Sequence, residues 1–362
     1  MRRETFDFVV KSAAAWLFRV RKPENWLFRG AIIVLVLFHG TDWFINYSGP
    51  IFERSGSIEI GSTGFISPFI LNIVTIVCIL LMIISAVWAL FRYRSEQAAD
   101  SKKKVYVIEG RGLRDDDGSP LSAALPGNLV GQRIDYLLDL RQHADGKIIE
   151  PDTLLRSVDA LKTWLHQAQK GNQRSDLTTV YGGLTSVPFT FLTGLLLDDE
   201  GDILVMDWDR VECRWRELDN MDDGVRFDVA GIEEIDNARE VVLAISVSYM
   251  VKDVDVDSTF SCPIVWMTLP DLQSSHWSQE KQSFLADQFL EVLKQLDAKR
   301  VDRIHLVLAA QNSVVFNLAR RYDKRNLPRL VVYQYERAQD SKYPWGIKMP
   351  VAGLEAAEVV YT

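Results

Sequence analysis

A gapless internal echo constrains this chain more than any other feature. Residues 178–210 return, shifted by a constant 127 positions, as residues 305–337. At that shift Val180 meets Val307, Ser186 meets Ser313, Val187 meets Val314, Phe189 meets Phe316 and Arg210 meets Arg337. Conservative pairs fill the intervals: Thr185 with Asn312, Phe191 with Leu318, 203–205 with 330–332, Trp208 with Tyr335 and Asp209 with Glu336. Two copies of one unit are therefore present, and a fold has to accommodate both.

Each copy reads as strand, small polar turn, amphipathic helix, turn, strand. The first strands, 177–181 and 304–308, are short and apolar or β-branched, as strands covered on both faces are. They run into "GGLTS" and "AAQNS", where small residues permit close backbone approach and polar ones cap a helix. Helical spacing follows at Val187, Phe191 and Leu195, and at Val314, Leu318 and Tyr322. The second strands end in "DWDR" and "QYER". A βαβ unit implies a right-handed crossover and a parallel sheet. The turn after the first strand and the end of the second then share the carboxyl edge, where open α/β folds bind ligands. Two units in tandem point to a pseudo-dimer whose two carboxyl edges face one ligand.

The echo has preludes. A helix at 152–170 (Leu154, Val158, Leu161, Leu165) precedes the first repeat, and one at 282–296 (Phe284, Phe289, Val292, Leu293) precedes the second. Residues 240–249 and 263–269 read as strands of the second half.

The segments "RIHLVLAAQNSVVFNLARRYDKRNLPRLVVYQYER" and "LTTVYGGLTSVPFTFLTGLLLDDEGDILVMDWDR" resemble the signature of the SAVED domain, a resemblance covering about residues 125–362. It implies two fused CARF-like, Rossmann-type halves that sense cyclic oligonucleotides in bacterial CBASS anti-phage defence. It further implies a cyclic di- or trinucleotide ligand made by a CD-NTase, ligand-induced homo-oligomerisation and no cofactor.

The N-terminal third is a different material. Residues 65–91 exceed the roughly 20 apolar residues that span a bilayer. Residues 26–47 read as a second span: Arg29, His39 and Asp42 interrupt it, and Trp26, Trp43 and Tyr47 fit interfacial aromatic belts. Basic residues flank the pair on the outside: Arg2, Arg3, Lys11, Arg19, Arg21, Lys22 and Arg29 before it, and Arg92, Arg94, Lys102, Lys103 and Lys104 after it. The intervening loop has only Arg54 against Glu53 and Glu59, so both termini are expected in the cytoplasm of an inner-membrane protein. No cleavable signal peptide is expected. Residues 6–20 carry Phe6, Val9, Val10, Ala13, Trp16, Leu17 and Val20 at helical spacing, which suits an interfacial helix or one packed on the soluble body.

The resulting division is an interfacial segment at 1–25, a transmembrane hairpin at 26–94, a linker at 95–124 and SAVED halves at 125–236 and 237–362. The linker rests on a stretch rich in charge, Gly, Pro and Ser, without periodicity.

Candidate ligand contacts cluster at the repeat edges. Gly182 and Gly183 allow close approach. Thr185 and Ser186, with Gln311, Asn312 and Ser313, stand where a helix N-terminus meets a phosphate or where ordinary capping occurs. Trp208 and Tyr335 suit base stacking or burial under a loop. Arg210 and Arg337 suit phosphate, or salt bridges to the acidic residues before them. Lys342, Tyr343 and Trp345 form a lid or a packed tail.

Other classes are weighed against this. The five histidines are scattered, and no nucleophile stands beside an evident base, so no catalytic residues are expected. A membrane-bound ring nuclease and a receptor for another nucleotide remain alternatives. Cys78, Cys213 and Cys262 have neither disulfide nor metal spacing. A net charge of −8 argues against duplex nucleic acid.

Overall fold

A computed structural model of the chain describes residues 23–40, 43–44, 47–51, 54–58, 61–62, 67–113, 119–144, 147–197, 203–235, 237–272, 276–351 and 355–362. These form two compact units, residues 1–101 and 102–362. The proposed interfacial helix at 6–20 falls outside the described residues.

Among the described residues the first unit holds two helices, α1 (Pro23–Gly40) and α2 (Pro68–Asp100), and, between them, short strands β1 (Trp43–Phe44), β2 (Tyr47–Ile51), β3 (Arg54–Ile58) and β4 (Gly61–Ser62). β1 pairs with β4 and β2 with β3, both antiparallel. The span expected at 26–47 is thus helical only to Gly40, and Trp43 and Tyr47 lie in strands. Glycine at the end of the apolar run stops the helix because it carries the largest backbone entropy cost. At 1.5 Å per residue α1 is about 27 Å long, near the thickness of a hydrocarbon core. α2, by the same rise, is about 50 Å and is the one described helix long and apolar enough to cross a membrane by itself.

The two helices pack through small residues, with Ala31, Cys78 and Ser85 buried. His39 Nε2 lies 3.3 Å from Thr75 Oγ1, whose own proton goes to the Leu71 carbonyl at 2.8 Å. The polar partner of His39 is therefore Thr75. Large apolar side chains such as Ile76, Ile83 and Leu90 face outward from α2.

Among the described residues the second unit contains two large sheets and one two-stranded hairpin. The first is built of β5 (Lys104–Arg111), β6 (Gln132–Asp139), β9 (Leu177–Leu184), β10 (Ile203–Asp209) and β11 (Arg214–Glu217), in the order β11-β10-β9-β5-β6. A small hairpin, β7 (His143–Ala144) and β8 (Lys147–Ile148), precedes α3 (Pro151–Gln169), and α4 (Val187–Leu196) links β9 to β10. The second sheet uses β12 (Asp228–Ala230), β13 (Glu240–Ser246), β14 (Ile264–Thr268), β15 (Arg303–Ala309), β16 (Arg329–Gln334), β17 (Trp345–Lys348) and β18 (Glu358–Tyr361). Its order is β12-β14-β13-β15-β16-β17-β18. Helices α5 (Asp253–Asp257), α6 (Gln279–Ala298) and α7 (Asn312–Ala319) complete it.

The duplication reaches well beyond the echo. In each half four strands run parallel and a fifth closes the sheet antiparallel: β6-β5-β9-β10-β11 matches β14-β13-β15-β16-β17. Among the described strands of the two large sheets, β12 and β18 are extra. Two expectations change accordingly. Residues 104–111, read as linker, are the buried strand between β6 and β9, six of whose eight residues lie inside. The second sheet also takes its edge strand from residues 228–230, ahead of the boundary set at 236.

The halves meet through the equivalent helices α4 and α7. Gly194 allows their close crossing, since a Cβ there would lie 2.6 Å from the Phe316 carbonyl oxygen. Tyr181 of β9 stacks on Phe316 of α7, with centroids 3.9 Å apart and planes at 11°. One continuous apolar core, including Phe189, Leu243, Phe289 and Phe316, runs through both halves.

Candidate functional site

The carboxyl ends of β5, β9, β10, β13, β14, β15 and β16 open into one cleft of about 870 Å³, lined by residues of both halves. That volume is at the upper end of the ~300–1,000 Å³ typical of small-molecule sites.

Its floor is a reciprocal clasp between the repeats. Asn312 and Thr185, equivalent positions, are joined by two hydrogen bonds: the Thr185 amide donates to Asn312 Oδ1 at 2.7 Å, and Asn312 Nδ2 donates to the Thr185 carbonyl at 3.1 Å. Thr185 Oγ1 shares a 2.7 Å hydrogen bond with Thr190 Oγ1. The helix N-termini are capped across the pseudo-two-fold. Asp207, near the end of β10, accepts from the Ser313 amide of α7 at 3.1 Å. Gln334, the matching residue of β16, accepts through Oε1 from the Val187 amide of α4 at 3.3 Å. Ser186 and Gln311 occupy the N-cap positions of α4 and α7, and neither side chain caps its own helix. Each half thereby satisfies a backbone donor that the other leaves open.

Thr185, Ser186, Trp208, Arg210, Gln311, Asn312, Tyr335 and Tyr343 all line the cleft. The Trp208 ring meets Trp215 edge-on at 5.3 Å. Tyr335 is exposed, donates to Asp255 Oδ2 at 3.4 Å and meets Tyr343 edge-on at 5.6 Å.

The other expected contacts sit elsewhere. Gly182 and Gly183 are buried in β9, where a Cβ on Gly182 would crowd Leu121 and Trp215, and one on Gly183 the ring of Tyr181. They serve sheet packing. Ser313 is buried behind the clasp, its Oγ accepting from Gln282 Nε2 at 2.9 Å. Trp345 is a core residue of β17 against Phe189, with centroids 5.8 Å apart. Lys342 directs its ammonium to the carbonyls of Arg337 and Gln339, at 3.2 and 2.5 Å, and so braces its own loop. Neither Lys342 nor Arg337 reaches the cleft wall.

The wall includes residues the sequence reading passed over: Asp207, Asp255, His276 and Trp277. His276 Nε2 lies 3.6 Å from Asp207 Oδ2, and both residues are buried. Burial, helped by nearby Arg216, brings the imidazole down to about 4, so the ring is neutral at pH 7. Burial raises the Asp207 carboxyl above the ordinary range, against the opposing pull of the Ser313 and Trp208 hydrogen bonds. Asp209 is lowered by the amides of Glu212 and Val211 that it accepts. Arg216 lies over the Trp277 ring, 4.8 Å from its centroid. Among the wall residues Asp207, Asp209, Glu212 and Asp255 are acidic and only Arg210 and Lys252 are basic. Among the described residues no group of three or more His, Cys, Asp or Glu is placed to hold a metal.

Family models match both parts of the chain, and the first of them runs past the first unit to include β5, β6, β7 and β8. Residues 3–155 match a SAVED-fused 2TM effector domain, and residues 159–349 match the SMODS-associated and fused to various effectors sensor domain, SAVED. No curated protein matches the chain. Among solved structures, the Cap4 SAVED/CARF-domain containing receptor of Acinetobacter baumannii with the cyclic trinucleotide 2'3'3'-cAAA is 13% identical, at a TM-score of 0.45, over 74% of this chain and 55% of that one. The same receptor with 3'3'3'-cAAA gives 13%, 0.46, 80% and 60%. The Moraxella osloensis Cap4 receptor gives 14%, 0.41, 59% and 47%. The chain thus spans about half the length of those receptors. With the sensor model covering more than half of its residues, this chain belongs to the SAVED family, in the form that carries a fused two-transmembrane effector domain.

Proposed function

We propose that the cleft receives a cyclic di- or trinucleotide second messenger made by a CD-NTase, and that its occupancy makes copies of the chain assemble so that α1 and α2 breach the bacterial inner membrane. The result is abortive infection, the loss of the infected cell before phage release. The observation that carries this reading is the convergence of two duplicated carboxyl edges on one cleft, with Trp208 and Tyr335 at equivalent positions on its wall. A cyclic oligonucleotide has repeated bases, and a duplicated receptor offers repeated stacking surfaces.

The wall is net acidic and the amides of Thr185, Val187 and Ser313 are already taken, so in this reading the phosphates fall to Arg210 and Lys252 rather than to a broad basic face. In this reading α1 is the second span, both termini are cytoplasmic, and the ligand is bound without being cleaved. Ligand drives assembly only by favouring the assembled state over the separate chains.

The test uses the full-length chain in detergent micelles and in dye-loaded vesicles of bacterial lipid. A panel of cyclic di- and trinucleotides, beginning with 2'3'3'-cAAA and 3'3'3'-cAAA, is titrated by calorimetry while particle mass is followed by light scattering. Expected are saturable binding, growth in mass, dye release and a ligand recovered intact by chromatography. Replacing Tyr335 or Trp208 by Ala should weaken binding about ten- to a hundredfold, the equivalent of roughly 1–3 kcal/mol per stacked base. Cleaved ligand would transfer the chain to the ring-nuclease reading, and binding of a linear or mononucleotide alone to the simple-receptor reading.

A further inference from the structure

The second sheet is capped at both ends by strands that the first lacks. β12 lies antiparallel on the outer edge of β14, and β18 on that of β17. Their counterparts in the first half, β6 and β11, have no neighbour on the outer side among the described residues. β11 is four residues long and carries Arg214, Arg216 and Glu217, the short charged form in which an edge is ordinarily left open. β6 is eight residues long, and its twin edge accepts a strand.

Register settles which groups β6 turns outward. It pairs with β5 without a break from Gln132 to Asp139, and the amides of Gln132 and Leu140 donate to the Lys103 and Arg111 carbonyls at 2.8 and 2.7 Å. The even-numbered residues therefore bond to β5. The amides and carbonyls of Arg133, Asp135, Leu137 and Asp139 point the other way, and among the described residues no hydrogen bond reaches them. Arg133 and Asp135 are exposed, and Leu137 keeps 51% of its surface in solvent.

Charges on an edge ordinarily turn a second strand away. Two copies of β6 brought together antiparallel escape this at one register. Hydrogen-bonded pairing sets odd residues opposite odd ones, so the axis falls on a single residue of the strand. At Asp135 or Leu137 it would bring Asp135 against Asp135 or Asp139 of the second copy, and at Ile134 or Leu138 the overlap runs past an end of the strand. At Tyr136 the whole of 133–139 overlaps, with Arg133 opposite Asp139 of the second copy on both sides of the axis. Arg141 already holds Asp139 at 2.9 and 2.7 Å, and the carboxylate keeps lone pairs for a second guanidinium. The two Leu137 side chains then meet diagonally beside the axis and cover each other.

We propose that β6 pairs antiparallel with β6 of a second copy about a two-fold axis at Tyr136, so that two five-stranded sheets become one continuous sheet. The pairing uses no part of the cleft and needs no ligand. Ligand-driven growth then adds dimers rather than single chains.

The test follows the full-length, ligand-free chain in detergent micelles. Expected by light scattering, with the detergent's share subtracted, is twice the mass of one chain. Asp135→Pro removes an outward amide and no hydrogen bond of the fold, since proline is tolerated on an edge with its nitrogen facing out. Arg133→Glu sets like charges against Asp139. Each, with an unchanged thermal melt, should weaken the dimer at least about tenfold. In a Cys213→Ser background, which removes the exposed thiol, Asp135→Cys, Tyr136→Cys and Leu137→Cys are oxidised in turn. Tyr136→Cys, on the axis, should cross-link fastest, because the Cα atoms of a directly opposed pair of its kind lie about 4.5 Å apart, within disulfide reach. A monomeric wild type overturns the proposal, as does a dimer that neither Asp135→Pro nor Arg133→Glu weakens, which belongs to another surface. Amides of Arg133, Asp135 and Leu137 protected from exchange in a monomer give the edge to another segment of the chain and overturn it as well. The reading of the cleft is untouched by any of these results, since it rests on ligand titration.

Discussion

The two halves of the sensor share a backbone and differ in what they hang on it. β10 and β16 end at equivalent places, and each sends one side chain across the pseudo-two-fold to cap the other half's helix. In the first half that side chain is a buried carboxylate, Asp207, which accepts two amides, and in the second it is the neutral amide of Gln334, which accepts one. The neighbouring aromatic is pinned against Trp215 in the first half, as Trp208, and exposed in the second, as Tyr335. Duplication conserves the hydrogen-bonding geometry of the edge, while the chemistry of the cleft wall diverges.

The largest expected effect breaks this comparison at the helix crossing. Gly194→Val places a side chain against the Phe316 carbonyl and the Ala319 methyl, and should cost more than about 3 kcal/mol, read as loss of the cooperative melt. Its counterpart 127 positions on is the exposed Arg321, and Arg321→Val should move the melt by less than about 0.5 kcal/mol. Comparable losses at both sites would mean that the halves are packed more symmetrically than Gly194 implies.

Next comes acidity, which should act on the second half through His276. Its folded value of about 4 lies below the ordinary 6.5, so the unfolded chain takes up the proton first as pH falls. The contribution is complete above pH 6.5 and is lost toward pH 4, amounting to about 3 kcal/mol across the window. Urea unfolding of wild type minus His276→Phe, measured from pH 7 to pH 4, isolates this slope from the opposite trend of Asp207, whose raised value favours the fold as pH falls. A flat difference would show that the ring is not buried as described.

The smallest effect sharpens the contrast between the caps. Asp207→Ala should cost about 2 kcal/mol and Gln334→Ala about 1 kcal/mol, following the stronger hydrogen bonds of a charged acceptor, both read by urea midpoint. Equal costs would put the two caps on the same footing and remove the asymmetry.

Much of the fold is legible in the sequence because a gapless shift exposes it: β9, α4, β10 and their echoes keep one spacing. β5 and β6 escape for a measurable reason. β5 precedes β9 by 73 residues, whereas its counterpart β13 precedes β15 by 63, so no single shift aligns all four. The run "KVYVIEGR" also sits beside a lysine cluster and reads as linker, although six buried residues in a row make it a central strand. At the site, the edge itself was legible and the direction of side chains was not. Gly182, Gly183 and Trp345 belong to strands whose packing takes them inward, and Ser313 lies in the first turn of a buried helix. Asp207 did leave a signal, an acid within the apolar strand "ILVMDWD", where a charge has to have a purpose. His276 left none, since it lies in a loop without periodicity and meets Asp207 only in the fold.

The crossed caps carry a consequence for how such a receptor diversifies. In a two-fold dimer of separate chains every substitution appears twice, so an acid at one cap is an acid at both, and a ligand-facing change on one wall is copied to the other. Joining the two copies in one polypeptide lifts that rule: positions 207 and 334 mutate independently while the clasp at 185 and 312 still holds their register. A symmetric dimer can ask only one question of a ring, posed twice. The fused chain can ask two, one through Asp207 and one through Gln334.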